Sequence, residues 1–317
     1  MKKVVVIGLG AVGTVFATFL KKIGHTVYGV VKENQLKSFN EGILKVDGIW
    51  GIHQAKLDKV LSDVKQIQDE DIDLVIVAVK SYDTEEASKS IKDIIKDKTV
   101  VLLTQNGYGN YEKASKYIPK EKILLGRIIF GSKVNSPGYA TVTVNADDVR
   151  IGHPENLLQE NEIVETVCLI KHSGIPASYS KEIYKVLWDK ILYNCALNPL
   201  GAILHKRYGE LAENSDTVNI MNTVIEEIFK VCKFNNIPLN YKSAQEYIEH
   251  FYKNLIPPTK AHYPSMYYDL KSGKKTEIDA LNGAIVDLGK KVGYIPVVNL
   301  TLTTIVKNLE KLREFSE

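Results

Sequence analysis

The chain has 317 residues, enough for two ordinary domains, and 44% of them are hydrophobic and 25% charged. These fractions are typical of globular proteins and exclude disordered and fibrous classes. The formal net charge of +3 is small for this length, and Lys and Glu interleave along the chain, so we do not expect nucleic acid as a partner.

The first predicted elements are a strand, a tight turn and a helix. Residues 4–7 form a β-branched run typical of a buried parallel strand, and apolar residues recur at helical spacing between residues 12 and 23. The turn between them is Gly8-Leu9-Gly10-Ala11-Val12-Gly13. Glycines at this spacing let a backbone approach a pyrophosphate at a helix N-terminus. The pattern predicts a nicotinamide dinucleotide on these six residues, with an ordinary structural turn as the alternative.

The glycines also bear on the location of the protein. They interrupt the apolar run that follows Met1-Lys2-Lys3, which argues against a signal peptide, and no later segment approaches the ~20 apolar residues of a membrane span. The three cysteines, Cys168, Cys195 and Cys232, lie far apart among apolar neighbours, as reduced core thiols do. We therefore expect a cytoplasmic protein that does not insert into a membrane.

The second predicted strand, residues 26–31, ends at Lys32-Glu33-Asn34. A carboxylate at this place usually binds the ribose 2′-hydroxyl of NAD, whereas a lysine favours the 2′-phosphate of NADP. We therefore expect NADP(H) with Lys32 as the phosphate ligand. The alternative is a solvated Lys32 with Glu33 as the ribose ligand of NAD(H).

Further α/β units follow. Residues 74–79 and 100–103 predict buried strands and residues 85–95 a helix, which indicates a doubly wound, Rossmann-type α/β sheet. Lys80-Ser81 follows the first of these strands and Gln105-Asn106-Gly107 the second, at the strand ends where ligands bind in such sheets. Asn106 fits an ordinary Asn-Gly turn as well as it fits a ligand contact. Residues 141–144 and 149–151 predict an antiparallel hairpin appended to the sheet.

The pattern changes to long helical periods after Gly174-Ile175-Pro176, near residues 181–197, 216–234, 241–254, 279–292 and 299–314, and no strand pattern follows. We therefore predict a dinucleotide-binding domain of residues 1–175 and an all-α substrate domain of residues 176–317, with a substrate cleft between them.

One helical stretch carries a polar stripe. Lys190 and Asn194 project from one helical face, and Asn198 lies one turn further on, before Pro199, which we expect to bend or end the helix. From the residues alone, this stripe fits a solvated helix face and a catalytic face equally well. A second polar cluster, from Ser265 to Glu277, indicates helix capping when taken by itself.

Together these motifs resemble the ketopantoate reductase family, the 2-dehydropantoate 2-reductases. The likeness covers essentially the whole chain, through the GLGAVG turn, Lys80, the QNG turn, WDKILYNCALNPLGA, and PSM followed by TEID. The resemblance implies that Lys190 is the general acid and Glu277 its acidic partner. It also implies that substrate is bound by Asn106, Asn194, Asn198 and Ser265, and that cofactor is contacted by Lys32, Lys80, Asn106 and Glu277.

The implied reaction is the NADPH-dependent reduction of 2-dehydropantoate to (R)-pantoate in pantothenate and coenzyme A synthesis. Hydride arrival leaves an alkoxide, which an ammonium such as Lys190 stabilises and protonates while Glu277 holds the ammonium in place. No metal is required, and the seven histidines form no ligand-spaced cluster. Two departures from the family are Lys32, where Arg is common, and His262, where Asn is sometimes found.

Two alternative functions remain. One is a D-2-hydroxyacid dehydrogenase that acts on another branched 2-keto acid, and the other is a non-catalytic NADP(H)-binding regulator. A regulator would have lost the polar set, yet Lys190, Asn194, Ser265 and Glu277 are all present. Relatives occur as monomers and dimers, so a homodimer stays open.

Overall fold

The computed structural model describes residues 1–39 and 41–314, which form two compact units. The first unit comprises Met1–Gln105 and Asn110–Tyr184, and the second comprises Asn106–Gly109 and the chain from Lys185 onward. The short segment Asn106–Gly109 thus belongs with the helices of the second unit, although it follows a strand of the first in sequence.

The first unit contains a mainly parallel larger sheet and a mixed smaller one. Its strands are β1 (Lys3–Ile7), β2 (Thr26–Val30), β3 (Ile43–Gly48), β4 (His53–Lys56), β5 (Lys59–Leu61), β6 (Leu74–Val77), β7 (Val100–Leu103), β8 (Ile123–Arg127), β9 (Phe130–Ser136), β10 (Tyr139–Asn145), β11 (Val149–Gly152) and β12 (Ala177–Tyr179). Its helices are α1 (Ala11–Lys22), α2 (Thr84–Ile91), α3 (Asn110–Ala114) and α4 (Glu160–His172). In the described part of the chain, the larger sheet has the order β12-β11-β8-β7-β6-β1-β2-β5, and every neighbouring pair is parallel except β8 and β11.

The strand order reverses at β1. The chain leaves β1 to pair with β2 on one side and returns with β6 on the other. In doubly wound sheets, ligands bind beyond the carboxyl ends of the strands at such a reversal. The glycine turn after β1, Lys32 after β2 and Lys80 after β6 all lie at this edge. The predicted Rossmann-type fold class is confirmed.

Helix α1 lies between the two sheets of this unit. It contacts β1 and β2 of the larger sheet and β3, β4 and β10 of the smaller one. Its residues from Gly13 to Leu20 are therefore all buried, including both threonines. Thr18 satisfies its hydroxyl by donating to the Thr14 carbonyl oxygen at 2.7 Å.

The predicted hairpin of residues 141–144 and 149–151 is wrong. Strand β10 belongs to a second sheet of order β4-β3-β10-β9, whereas β11 joins the larger sheet beside β8. In the link between β10 and β11, Asp147 is paired with two arginines of the larger sheet, Arg127 at 2.6 Å and Arg150 at 3.2 Å, which ties the link to that sheet. The alternation of apolar and polar residues predicted the two strands, but the strands with which they pair depend on distant residues.

The second unit is helical, as predicted. Its helices are α5 (Ile183–Leu204), which begins at the end of the first unit, α6 (Tyr208–Ala212), α7 (Ser215–Phe234), α8 (Ala244–His250), α9 (Ser265–Lys271), α10 (Asn282–Lys291) and α11 (Val297–Glu314), and a π-helical turn (Phe251–Leu255) extends α8. The expectation that no strand follows residue 176 is wrong, since β12 pairs with β11 of the first unit. A strand of three residues is too short to show alternation.

Helix α5 is the buried centre of the second unit, with Trp188, Ile191 and Cys195 fully inaccessible. The expectation that Pro199 could end this helix is wrong, because α5 continues to Leu204. Proline has no N–H and leaves the carbonyl four residues earlier without its helical donor. That carbonyl is Cys195 O, and the side-chain Nδ2 of Asn282 donates to it at 3.1 Å. A side chain from α10 therefore replaces the hydrogen bond that Pro199 removes.

Two kinds of feature are missing from residues 1–39 and 41–314. No helix there is long and apolar enough to cross a membrane. No group of three or more His, Cys, Asp or Glu side chains there is placed to hold a metal ion.

Candidate functional site

Two glycines of the turn differ in their surroundings: Gly13 is tightly packed and Gly10 is open. A Cβ built on Gly13 would lie 1.9 Å from the Gly8 carbonyl oxygen, so only glycine lets α1 start this close to β1. A Cβ built on Gly10 would meet no atom within 4 Å. The protein itself therefore requires Gly13, while the open face at Gly10 is free for a ligand.

The start of α1 completes this cradle. Gly10 is the N-cap and supplies no side-chain cap, and the first turn, which contains Ala11 and Val12, has no acidic residue. The first turn of the helix thus supplies no anionic side chain of its own to its first N–H groups, and the helix dipole favours a negative charge there. Leu9 is buried and packs against Gly29 of β2. The residues present fit the pyrophosphate of a dinucleotide.

The neighbouring strand ends carry the two predicted lysines. Lys32 follows β2 and is exposed, with its Nζ 3.0 Å from Oδ2 of Asp83. Lys80 follows β6 and is half-buried, and its carbonyl oxygen accepts from the Asp83 N–H at 2.9 Å. Sequence reasoning did not single out Asp83, because only the sheet order brings it near Lys32.

Three predicted residues meet in the second unit. Lys190 Nζ donates to Asn106 Oδ1 at 2.5 Å, and Asn106 Nδ2 donates to Glu277 Oε2 at 3.4 Å. These contacts join positions 84 and 171 residues apart in sequence. The Asn106 amide links the ammonium to the carboxylate, because its oxygen accepts from the ammonium and its NH₂ group donates to the carboxylate. We call these three residues the Lys190 triad.

The loop that carries Asn106 is held against the turn that follows Glu277. Gly107 has a φ of +87°, and a Cβ on it would lie 2.3 Å from the Ala280 carbonyl oxygen. The next residue, Tyr108, donates its N–H to that same oxygen at 2.8 Å. The Asn-Gly pair therefore makes a turn and also places the Asn106 amide between Lys190 and Glu277.

The two asparagines of α5 differ in their surroundings. Asn194 is 8% exposed, and its side chain makes no hydrogen bond to any residue that the structure describes. Asn198 is 5% exposed, and its Oδ1 accepts from the Tyr208 hydroxyl at 2.9 Å. Asn198 thus has one end of its amide occupied by protein.

Ser265 lies at the first position of α9 and is exposed. The preceding Pro264 packs against Gly201, near the end of α5. The structure thus brings Ser265 close to the C-terminal part of α5, but it shows no hydrogen bond between Ser265 and the Lys190 triad within the described residues.

One buried residue near this site was missed from sequence. Besides its bond to Cys195 O, the Asn282 Nδ2 donates to Asn299 Oδ1 at 3.0 Å, and Asn299 Nδ2 donates to Glu227 Oε2 at 2.8 Å. Asn282 and Asn299 are fully inaccessible. This network holds the backbone of α5 immediately after Asn194. The signal that could have found Asn282 is Pro199, because a proline inside a buried helix requires a donor from elsewhere.

Comparison with known proteins covers almost the whole chain. Residues 4–156 match the family model described as ketopantoate reductase PanE/ApbA, and residues 182–310 match the model of its C-terminal part. A 2-dehydropantoate 2-reductase of Aquifex aeolicus is 46% identical over 308 residues, which is 97% of each chain. The enzyme of the same name from Pyrococcus abyssi is 29% identical over 98% of each chain.

Solved structures are similar along the same length. D-mandelate dehydrogenase in complex with NADH and anilino(oxo)acetate matches with a TM-score of 0.87 at 28% identity, covering 98% of this chain and 99% of that one. A PanE/ApbA family ketopantoate reductase from Ralstonia eutropha matches with a TM-score of 0.86 at 25% identity, with the same coverage.

The family models, the curated relatives and the solved structures agree with the resemblance that the motifs indicated. The two matched ranges include the glycine turn, Lys80 and Asn106 in the first and Lys190 and Glu277 in the second. This chain belongs to the ketopantoate reductase family.

Proposed function

We propose that this protein reduces 2-dehydropantoate to (R)-pantoate with NADPH, as a step in pantothenate and coenzyme A synthesis. The observation that carries the proposal is the Lys190 triad, because it supplies a held ammonium of the kind that a ketone reduction needs. The 46% identity to the Aquifex aeolicus 2-dehydropantoate 2-reductase supports the choice of substrate.

Lys190 has the central chemical role in this proposal. Bound NADPH supplies the hydride, which leaves negative charge on the former keto oxygen. The Lys190 ammonium stabilises that charge and donates the proton from Nζ. Asn106 fixes the direction of the ammonium through its 2.5 Å hydrogen bond, and Glu277 orients Asn106 from the other side. Positioning of this kind avoids the cost of reorganising solvent during the reaction.

Three polar side chains would orient the substrate. Asn194 offers an amide that bonds to no described residue, and Asn198 offers its Nδ2 because Tyr208 occupies its Oδ1. These amides suit the hydroxyl and keto oxygens of 2-dehydropantoate, and the Ser265 hydroxyl suits its carboxylate.

The coenzyme would lie on the glycine turn, with Lys32 at the 2′-phosphate and Lys80 near the nicotinamide end. The absence of acidic residues from the first turn of α1 supports pyrophosphate binding. The lysine after β2 supports NADPH over NADH. Free thiols at Cys195 and Cys232, both buried, support a cytoplasmic location. The expectation of a core thiol is wrong for Cys168, which is exposed. A homodimer is also part of the proposal.

A second candidate keeps the chemistry and changes the substrate. The structural match to D-mandelate dehydrogenase, with a TM-score of 0.87, favours reduction of another branched 2-keto acid to a D-2-hydroxy acid. The keto group and the carboxylate are shared by every 2-keto acid, so the hydroxyl that one of the two asparagines would bind and the rest of the substrate decide between the candidates.

Steady-state oxidation of NADPH distinguishes these candidates. The purified protein is assayed with 2-dehydropantoate and with a panel of branched and aromatic 2-keto acids, each with NADPH and with NADH. We expect the highest kcat/KM with 2-dehydropantoate and NADPH. A higher value with another keto acid would favour the second candidate, and tight coenzyme binding without turnover of any keto acid would indicate a regulator.

A further inference from the structure

An ion pair spans the strand end at which the dinucleotide is proposed to bind. Lys32 follows β2, and Asp83 closes the short 3₁₀ turn (Ser81–Asp83) after β6. Strand β1, with the glycine turn at its end, lies between β2 and β6. Neighbouring strands are about 4.8 Å apart, so these two side chains meet after crossing roughly 10 Å of sheet edge. The Nζ–Oδ2 distance is 3.0 Å.

The carboxylate of this pair is better fixed than the ammonium. The Asp83 side chain is 23% exposed and the Lys32 side chain 62% exposed. The Asp83 N–H is bonded to the Lys80 carbonyl oxygen at 2.9 Å, which anchors its backbone directly before α2. Lys32 has a long, flexible side chain, and exposed ion pairs are weakly held, so Lys32 can exchange one anionic partner for another.

We propose that Asp83 is a coenzyme-specificity residue that weakens the binding of NADPH relative to that of NADH. This inference rests on the proposed function. In this proposal, a 2′-phosphate at Lys32 must take the ammonium away from Asp83 and must also lie near a second negative charge. NADH carries a 2′-hydroxyl instead, for which a carboxylate is a suitable acceptor. Asp83 therefore opposes NADPH through two effects, neither of which acts against NADH.

The sequence alone interprets Lys32 as a phosphate ligand and leaves Glu33 as the alternative ribose ligand. The tertiary structure adds a carboxylate from a different strand end at the same place. In this proposal, Lys32 attracts the 2′-phosphate and Asp83 opposes it, and the two side chains together set the coenzyme preference.

The test measures equilibrium binding by calorimetry, so that it does not depend on turnover. The probes are 2′,5′-ADP and 5′-AMP, which differ only in the 2′-phosphate, together with NADP⁺ and NAD⁺. The variants are Asp83→Asn, Lys32→Gln and the double variant. The control is Asp93→Asn, which removes an exposed carboxylate beyond the far end of α2.

We expect Asp83→Asn to tighten 2′,5′-ADP and NADP⁺ about fivefold, because like-charge repulsion and competition for Lys32 both disappear. Affinity for 5′-AMP and NAD⁺ should stay the same or fall, and Asp93→Asn should change none of the four affinities. In the Lys32→Gln background, the gain from Asp83→Asn should shrink, since there is no ammonium left to compete for.

Three results would overturn the proposal. Unchanged 2′,5′-ADP affinity in Asp83→Asn would exclude the role of Asp83 and leave the proposed function standing. Equal tightening of 2′,5′-ADP and 5′-AMP would do the same. Failure of the wild-type protein to bind either NADP⁺ or NAD⁺ would overturn the proposed function as well, so the two failures are distinguishable. Circular dichroism and thermal unfolding establish that each variant is folded.

Discussion

The glycine turn and the Lys190 triad are built in opposite ways. The turn is six consecutive residues, and its tightest contact, between Gly13 and Gly8, lies within it, although Gly8 also lies against Val79 just after β6. The triad takes one residue from each of three segments that are far apart in sequence. A local site tolerates changes elsewhere in the chain but no change in its own backbone, whereas a site assembled from distant segments depends on the packing that brings them together.

The substitution Lys190→Ala best distinguishes the catalytic role of the triad from the coenzyme-binding role of the glycine turn. We expect it to lower kcat by roughly 10³-fold, because the developing alkoxide loses both its charge stabilisation and its proton donor. Binding of NADP⁺ should change less than about twofold, since Lys190 is not among the predicted coenzyme ligands. Turnover at the wild-type rate would remove Lys190 from the proposed mechanism.

Asn106→Ala tests whether the triad acts as a unit. The variant removes one acceptor of Lys190 and one donor to Glu277 together, so we expect kcat to fall about 10²-fold while KM changes less. Thermal unfolding monitored by circular dichroism shows whether the loop change has also destabilised the protein. An unchanged kcat in a stable variant would mean that Lys190 needs no positioning by Asn106.

Gly10→Ala and Gly13→Ala form a matched pair within the turn. Alanine at Gly10 has open space in the protein, so stability should be preserved while dinucleotide affinity falls on the order of tenfold. Alanine at Gly13 collides with the Gly8 carbonyl and should cost about 1–3 kcal/mol of unfolding free energy, measured by urea denaturation. Equal loss of stability in both variants would contradict the proposed division of roles.

Asn282→Ala tests the support of α5. The Cys195 carbonyl and the Asn299 amide lose their partner in the core, and we expect a cost of about 1–3 kcal/mol in unfolding free energy. We also expect a kcat reduced by only a few-fold, since Asn194 and Asn198 shift without being removed. The control is Asn308→Ala, which removes an exposed asparagine of α11.

A second substitution sharpens this test. Pro199→Ala restores a backbone N–H four residues after Cys195, so it should recover part of the stability lost in Asn282→Ala. It should gain less in the wild-type background, where Asn282 already satisfies that carbonyl. Identical effects of Pro199→Ala in both backgrounds would show that the two residues do not act on the same hydrogen bond.

The sequence by itself determined the local features. The β-branched run before Gly8, the spacing of the glycines and the helical period after them specified a strand, a turn and a helix, because these features depend on neighbouring backbone. The helical character of the second unit and the polar stripe of α5 were readable for the same reason. The motifs that link these segments also identified the family.

Only the tertiary structure decided what depends on contacts between distant residues. It joined Lys190 to Glu277 through Asn106, carried α5 past Pro199 with a donor from Asn282, and paired Lys32 with Asp83 across β1. It also separated β10 from β11, although their patterns indicated a hairpin. Hydrophobic period and turn chemistry carry no information about which distant donor reaches an orphaned carbonyl, or which carboxylate lies beside a lysine. Those outcomes follow from the order of strands in the sheet and from the packing of helices around α5.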